Sequence, residues 1–179
     1  PGQLVIGAAG KFFSRTLDTN VRHCTEMFIK AAKFKGASVV EILQNCVIYN
    51  DKTHGDITNK EFKEERQLFL EHGKPMIFGN EKDKGIALDK MTLKVVKIGE
   101  NGITEDDLLV HDAKDPNPFI HLMLVNMKYP EHPVAFGVIR EIEDITYDEK
   151  MVAQITQIQK TSKIKNMDDL LNSGETWTV

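Results

Sequence analysis

The residues of this chain best equipped for chemistry are its two cysteines, Cys24 and Cys46, and a carboxylate, Glu41, that interrupts an apolar run. Cys46 closely follows Val39-Val40-Glu41-Ile42-Leu43, and a thiolate just past a strand can reach a cluster, a metal or a substrate. From position alone, a buried structural cysteine is the competing reading. Cys24 falls at helical spacing with Val21 and Phe28 and reads as core. Glu41 needs a partner if it is buried, since an unpaired carboxylate there costs several kcal/mol, on the order of 1–3 or more; exposure at a sheet edge or a subunit contact is the alternative. The six histidines, His23, His54, His72, His111, His121 and His132, show no pair at helical ligand spacing, so they read as surface or capping residues. His54-Gly55-Asp56, with Asn80 downstream, faintly echoes a magnesium–diphosphate motif. Ile57 stands where a glycine would let backbone approach phosphate, so the triplet reads as a turn. Asp106-Asp107 after Thr104 read as carboxylates favoured at a helix N-terminus. Dinucleotide, Walker, paired C-x-x-C and H-E-x-x-H signatures are absent.

These residues need elements to hold them. Apolar positions Val21, Cys24, Met27, Phe28, Ala31 and Ala32 recur at three and four, predicting a helix capped by Asp18 or Thr19 and stopped by Gly36. Ala37 to Leu43 is β-branched and apolar on both faces, as expected inside a parallel sheet. With Lys11 to Leu17 as the preceding strand, the segment forms a strand–helix–strand crossover. Thr58 is expected to cap a charged helix from Asn59 to about Glu71, ending at Gly73-Lys74-Pro75. Short strands follow at Met76-Ile77-Phe78, Ile86-Ala87-Leu88 and Met91 to Ile98. Pro116 and Pro118 open an amphipathic helix through Met127, Val134 to Ile139 is a strand, and a last helix runs from Asp148 to about Lys163, before a tail from Met167 to Val179.

At 179 residues and 20.3 kDa the chain has the length of one domain, or one with an appendage. The net charge of −4 provides no sequence-wide positive field, which argues against nucleic acid and anionic lipid as partners. The stretch Pro116 to Met127 is far short of the roughly 20 apolar residues a spanning helix needs. Two widely spaced cysteines fit a reducing cytoplasm. The start at Pro1-Gly2, without an initiator Met, points to a piece cut from a longer protein.

Gly7-Ala8-Ala9 leading into Phe12-Phe13-Ser14-Arg15, a helix, and then Val40-Glu41-Ile42-Leu43-Gln44-Asn45-Cys46-Val47-Ile48-Tyr49-Asn50 resembles the thiamine-diphosphate-binding β subunit of the 2-oxoacid:ferredoxin oxidoreductases, in particular its 2-oxoglutarate-type branch. His111-Asp112, Phe119 to Met127, Pro133 to Arg140 and Thr146-Tyr147 are similar to the family's C-terminal region. The Cys46 segment is the most specific part, with Gln44-Asn45 in place of the usual Ser-Pro and Ile48 where Thr is common.

The resemblance implies an α/β fold: a partial thiamine-diphosphate-binding domain over 1–56, with a parallel sheet and helices, and a smaller α+β C-terminal extension over 57–179. It implies that Cys46 is the fourth ligand of a [4Fe-4S] cluster, the other three cysteines and the Gly-Asp-Gly segment for magnesium and diphosphate lying outside this chain. The parent enzyme would use thiamine diphosphate, Mg2+ and the cluster, and would work with an α subunit, ferredoxin, coenzyme A and a 2-oxoacid. The isolated chain is expected to hold none of these cofactors and to be inactive. Val40, Ile42 and Val47 are expected to make the strand terminus a rigid mount. Two other readings are a subunit-interaction module over Gly73 to Val179 presenting Phe119, Leu122 and Met123 on one helix face, for which ordinary core is the plainer account, and a stand-alone thiol enzyme built on Cys46.

Overall fold

The computed structural model of the chain describes residues 1–175 and Trp177. It divides into two compact units, Pro1–Asp144 and Ile145–Val179. In the first, helix α1 (Gly2–Gly7) leads into strand β1 (Phe12–Leu17), helix α2 (Val21–Lys33) and strand β2 (Ser38–Leu43). Strands β1 and β2 pair in parallel with Phe12 opposite Ser38 and Leu17 opposite Leu43, which is the expected crossover. The short helices α3 (Gly55–Thr58) and α4 (Lys63–Arg66) precede strands β3 (Gln67–Leu70), β4 (Ile77–Phe78), β5 (Lys84–Asp89) and β6 (Thr92–Lys97). After a 3-10 turn at Glu105–Asp107 come helix α5 (Phe119–Asn126) and strand β7 (Val134–Glu141). The second unit holds helices α6 (Tyr147–Thr161) and α7 (Met167–Leu171).

The main sheet has the order β2-β1-β7-β3, and β4-β5-β6 form a separate antiparallel sheet. All six residues of β1 are buried because the sheet is covered on both faces. Phe13 meets Ile6 of α1, Leu124 and Val125 of α5 and, across them, Phe78, Ile86 and Leu93 of the small sheet. Phe12 faces the other way, onto Met27 and Ala31 of α2, with Ala113 and Val138 completing that cluster. The α/β class is therefore as the sequence indicates, and β7, far along the chain, is inserted antiparallel beside β1.

Several expectations are corrected. Residues 59–71 do not form one charged helix: Lys63–Arg66 makes a single turn, and Gln67–Leu70 is a strand parallel to β7. Leu68 and Leu70 alternate into the core there, so sheet pairing stops the helix that Lys63–Arg66 begins. Strand β2 lies at the edge of the sheet rather than inside it, with Val39 and Ile42 each 37% exposed. On α2 the buried line is Met27–Ala31, while Val21 and Phe28 are exposed and Cys24 is only half-buried. The three-and-four spacing covers more of the helix surface than one sheet contact can bury. Asn20, not Asp18 or Thr19, caps α2 by accepting from the His23 amide. Helix α5 is apolar nearly all round rather than amphipathic; Leu122 and Met123 pack against the main core, and Phe119 is exposed.

The histidine expectation fails at two positions. His111 and His121 are fully buried. Arg140, always a donor, gives an Nη1 hydrogen to His121 Nδ1 at 2.9 Å, so His121 Nε2 carries the proton and donates to the Asp112 carbonyl at 2.8 Å. His111 Nε2 donates to the Val138 carbonyl at 2.8 Å, leaving Nδ1 buried without a partner among the described residues. Burial holds both imidazoles below the ordinary value of 6.5. The folded protein thus binds fewer protons than the unfolded chain once the pH drops below 6.5. Stability is fully present above that pH and is lost progressively as the pH falls toward the depressed native values. Urea unfolding at successive pH values should show this decline, and a midpoint unchanged between neutral and mildly acidic solution would contradict it.

Candidate functional site around Cys46

The site begins where β2 ends. Leu43 is the last residue paired with β1, and the backbone then leaves the sheet through Gln44 and Asn45 to Cys46. Asp18, just past β1, takes the Asn45 amide at 3.1 Å, and its own amide donates to the Leu43 carbonyl at 3.2 Å. Asn45 then fastens the far side of the loop: its Oδ1 accepts from the Lys52 amide at 2.7 Å and its Nδ2 donates to Asp51 Oδ1 at 2.9 Å. Between these clasps the chain folds back on itself, with the Asn50 amide donating to the Cys46 carbonyl at 2.9 Å. The mount is therefore built from hydrogen bonds. Val47, expected to pack the strand terminus, is 74% exposed.

Cys46 is exposed. Backbone amides of Tyr49, then Ile48 and Asn50, donate toward its sulfur and hold the thiol below its ordinary value. The turn thus favours thiolate, the form that ligates metal and attacks electrophiles. Alkylation with iodoacetamide near neutral pH should modify Cys46 at least about tenfold faster than half-buried Cys24. Equal rates at the two positions would contradict the accessibility and the amide donation described here. Among the described residues no cluster of three or more His, Cys, Asp or Glu side chains is placed to hold a metal ion. One thiolate fits as one corner of a four-thiolate cluster and cannot retain iron by itself.

Glu41, three residues before the turn, has the partner that its burial requires. Its Oε2 accepts from Arg15 Nε at 2.6 Å, across the register pair that joins β2 to β1. The two side chains are 12% and 9% exposed. Arg15 Nη2 also donates to the Val125 carbonyl at 3.1 Å, at the last turn of α5. One guanidinium therefore ties β1, β2 and α5 together.

The remaining candidates fall elsewhere. His54-Gly55-Asp56 begins the one-turn helix α3, and Asp56 lies 3.8 Å from Arg66. Thr104 and Asp107 form a reciprocal cap on the 3-10 turn, as the sequence suggests for carboxylates at a helix start. Sequence reading missed Asp18 and Asn45, whose side chains shape the loop. The turn-rich Asn50-Asp51-Lys52-Thr53 run is the signal for a loop that the preceding Asn45 can clasp.

The comparisons with known proteins bear on this arrangement. No protein-family model matches the chain. Over 183 aligned positions, which take in all of this chain, it is 34% identical to the 2-oxoglutarate oxidoreductase subunit KorB of Mycobacterium tuberculosis. The chain resembles part of a 2-oxoglutarate oxidoreductase subunit. It spans 48% of that relative, about half its length. The fold is also similar to that of the 2-oxoglutarate:ferredoxin oxidoreductase from Magnetococcus marinus, solved with 2-oxoglutarate, coenzyme A and succinyl-CoA bound. That likeness has a TM-score of 0.55 at 14% identity and covers 98% of this chain and 44% of the other. Among the described residues, no helix is long and apolar enough to cross a membrane.

Proposed function

We propose that this chain is a portion of the β subunit of a 2-oxoglutarate:ferredoxin oxidoreductase, and that Cys46 supplies one of the four thiolates of its [4Fe-4S] cluster. The observation that carries the reading is the similarity to the KorB subunit along the entire chain. An exposed sulfur held toward thiolate by three amides suits a ligand whose companions come from the N-terminal part of the same subunit. Residues 1–56 would belong to the thiamine-diphosphate-binding layer and 57–179 to the C-terminal extension, with β7 of the extension built into the same sheet.

In the complete enzyme the reaction would convert a 2-oxoacid, coenzyme A and two oxidised ferredoxins into an acyl-coenzyme A, carbon dioxide, a proton and two reduced ferredoxins. Thiamine diphosphate with Mg2+ supplies the means of stabilising the acyl carbanion equivalent when bound. This chain's part is to hold Cys46 fixed through Asp18, Asn45 and the Arg15–Glu41 pair, in a cytoplasmic complex with an α subunit. Alone, it should not turn over substrate.

The test is anaerobic assembly of the complete complex, followed by assay of 2-oxoglutarate- and coenzyme A-dependent viologen reduction. Cys46→Ser should abolish the reduction and the cluster's electron paramagnetic resonance signal. A variant retaining both would refute the ligand role. The second reading, a subunit-interaction module without catalytic residues, loses Leu122 and Met123 to the core and draws instead on Val47, Ile48 and Tyr49, which are 74%, 83% and 91% exposed beside the cysteine. It would be favoured if Cys46→Ser kept its cluster while substitutions at Ile48 and Tyr49 blocked assembly.

A further inference from the structure

The three residues that follow Cys46, namely Val47, Ile48 and Tyr49, are exposed, so the turn takes its shape from hydrogen bonds rather than from packing. Three of those bonds meet at one residue. Asn45 Oδ1 accepts from the Lys52 amide at 2.7 Å, Asn45 Nδ2 donates to Asp51 Oδ1 at 2.9 Å, and the Asn45 amide donates to Asp18 Oδ2 at 3.1 Å. A single residue therefore joins the end of β1, the end of β2 and the far limb of the turn.

The far limb needs such a tie. Lys52 has φ of +59°, a left-handed conformation that an L residue adopts only at a cost. Its amide is shared between Asn45 Oδ1 and Asp51 Oδ1, the latter at 2.9 Å, and its carbonyl accepts from the Gly55 amide at 2.8 Å. Inside the span that Asn45 closes lie the amides of Tyr49 and Ile48, which donate toward the Cys46 sulfur. The bonds of the clasp are at the surface, where each contributes little to global stability, so their consequence is local. Amide dipoles aimed at a cluster sulfur favour the state carrying the extra electron, and hydrogen bonds of this kind are among the levers that set a cluster's potential.

We infer that Asn45 is the positioning residue of this turn: by drawing Lys52 and Asp51 onto the end of β2 it holds the backbone amides against the Cys46 sulfur and makes the cluster easier to reduce. The inference rests on the ligand reading of Cys46 and adds to it a residue that touches neither the iron nor the sulfur.

The experiment has a metal-free arm and a loaded arm. In the 179-residue chain without metal, Asn45→Ala should speed amide hydrogen exchange at Lys52 by about tenfold, while the urea midpoint stays close to that of the parent. In the complete complex, assembled anaerobically and titrated under electron paramagnetic resonance, the same variant should make the cluster about tenfold harder to reduce, which is about 59 mV for one electron. Asn45→Asp combined with Asp51→Asn reverses the bond between the two side chains, keeps an acceptor for the Lys52 amide and conserves charge. It should restore both readouts. Unchanged exchange, an unchanged potential, or a double variant no better than Asn45→Ala would each overturn the inference, as would a large fall in the urea midpoint, which would make Asn45 part of the global fold. Cys46→Ser tests the underlying reading separately. A cluster retained there removes the ligand role, whereas a cluster lost there with an unmoved potential in Asn45→Ala removes this inference alone.

Discussion

Arg15→Ala is expected to destabilise the folded chain by about 3–5 kcal/mol, because it leaves Glu41 ionised in a site that gives it little water. The carboxylate is 12% exposed and accepts from Arg15 at 2.6 Å. The same substitution frees the Val125 carbonyl, which receives Nη2 at 3.1 Å. Glu41→Ala should cost a similar amount by stranding the guanidinium. Replacing both residues, Arg15→Met with Glu41→Met, should recover most of the loss, since the cost of a broken buried pair is chiefly that of the unpaired charge left behind. Urea unfolding of the two single variants and the double variant measures this directly. Single variants within about 1 kcal/mol of the parent would mean that the pair behaves as a surface salt bridge.

Gly137→Ala should be nearly as damaging. Gly137 lies in the middle of β7, between Arg15 on β1 and Leu70 on β3, with φ of +105°. An added Cβ would approach the Leu70 carbonyl oxygen to 2.8 Å, and that oxygen is backbone held in a parallel pair. Strain from the positive φ contributes about 1–2 kcal/mol and the forced separation of β7 from β3 about as much again, for a total of roughly 3–4 kcal/mol. Gly73→Ala separates the two contributions, because φ there is +78° while a Cβ would meet nothing within 4 Å. It should cost only the strain, about 1–2 kcal/mol. Equal losses at the two glycines would show that the contact with Leu70 is relieved by backbone movement.

Local signals in the sequence carry some parts of this protein and fail at others for identifiable reasons. The strand–helix–strand unit over Phe12 to Leu43 is legible because apolar period and turn residues agree along one short stretch of chain. The meander of β4, β5 and β6 is legible for the same reason, its strands being joined by glycine-containing turns or a tight two-residue connection. Gln67–Leu70 is not, because its strand conformation is imposed by β7, whose pairing residues lie 67 positions further on, as in Gln67 opposite Val134. Helical propensity carries Lys63-Glu64-Glu65-Arg66 through one turn, and from Gln67 the hydrogen bonds of the parallel pair with β7 prevail over its continuation. His111 and His121 look like surface residues for a related reason. Their acceptors and donors are the Val138 and Asp112 carbonyls and Arg140, brought together only when β7 and α5 pack.

At the candidate site the division is equally clear. The sequence by itself determined that a cysteine follows an apolar strand, that the strand carries a carboxylate needing a partner, and that this segment resembles one family's cofactor-binding region. Tertiary structure alone decided that Arg15 is that partner, that Asp18 and Asn45 clasp the loop, and that the thiol faces outward. The physical reason is that alternation and turn chemistry act between near neighbours, whereas the pairing of buried charges and the choice of exposed face depend on which distant elements happen to meet.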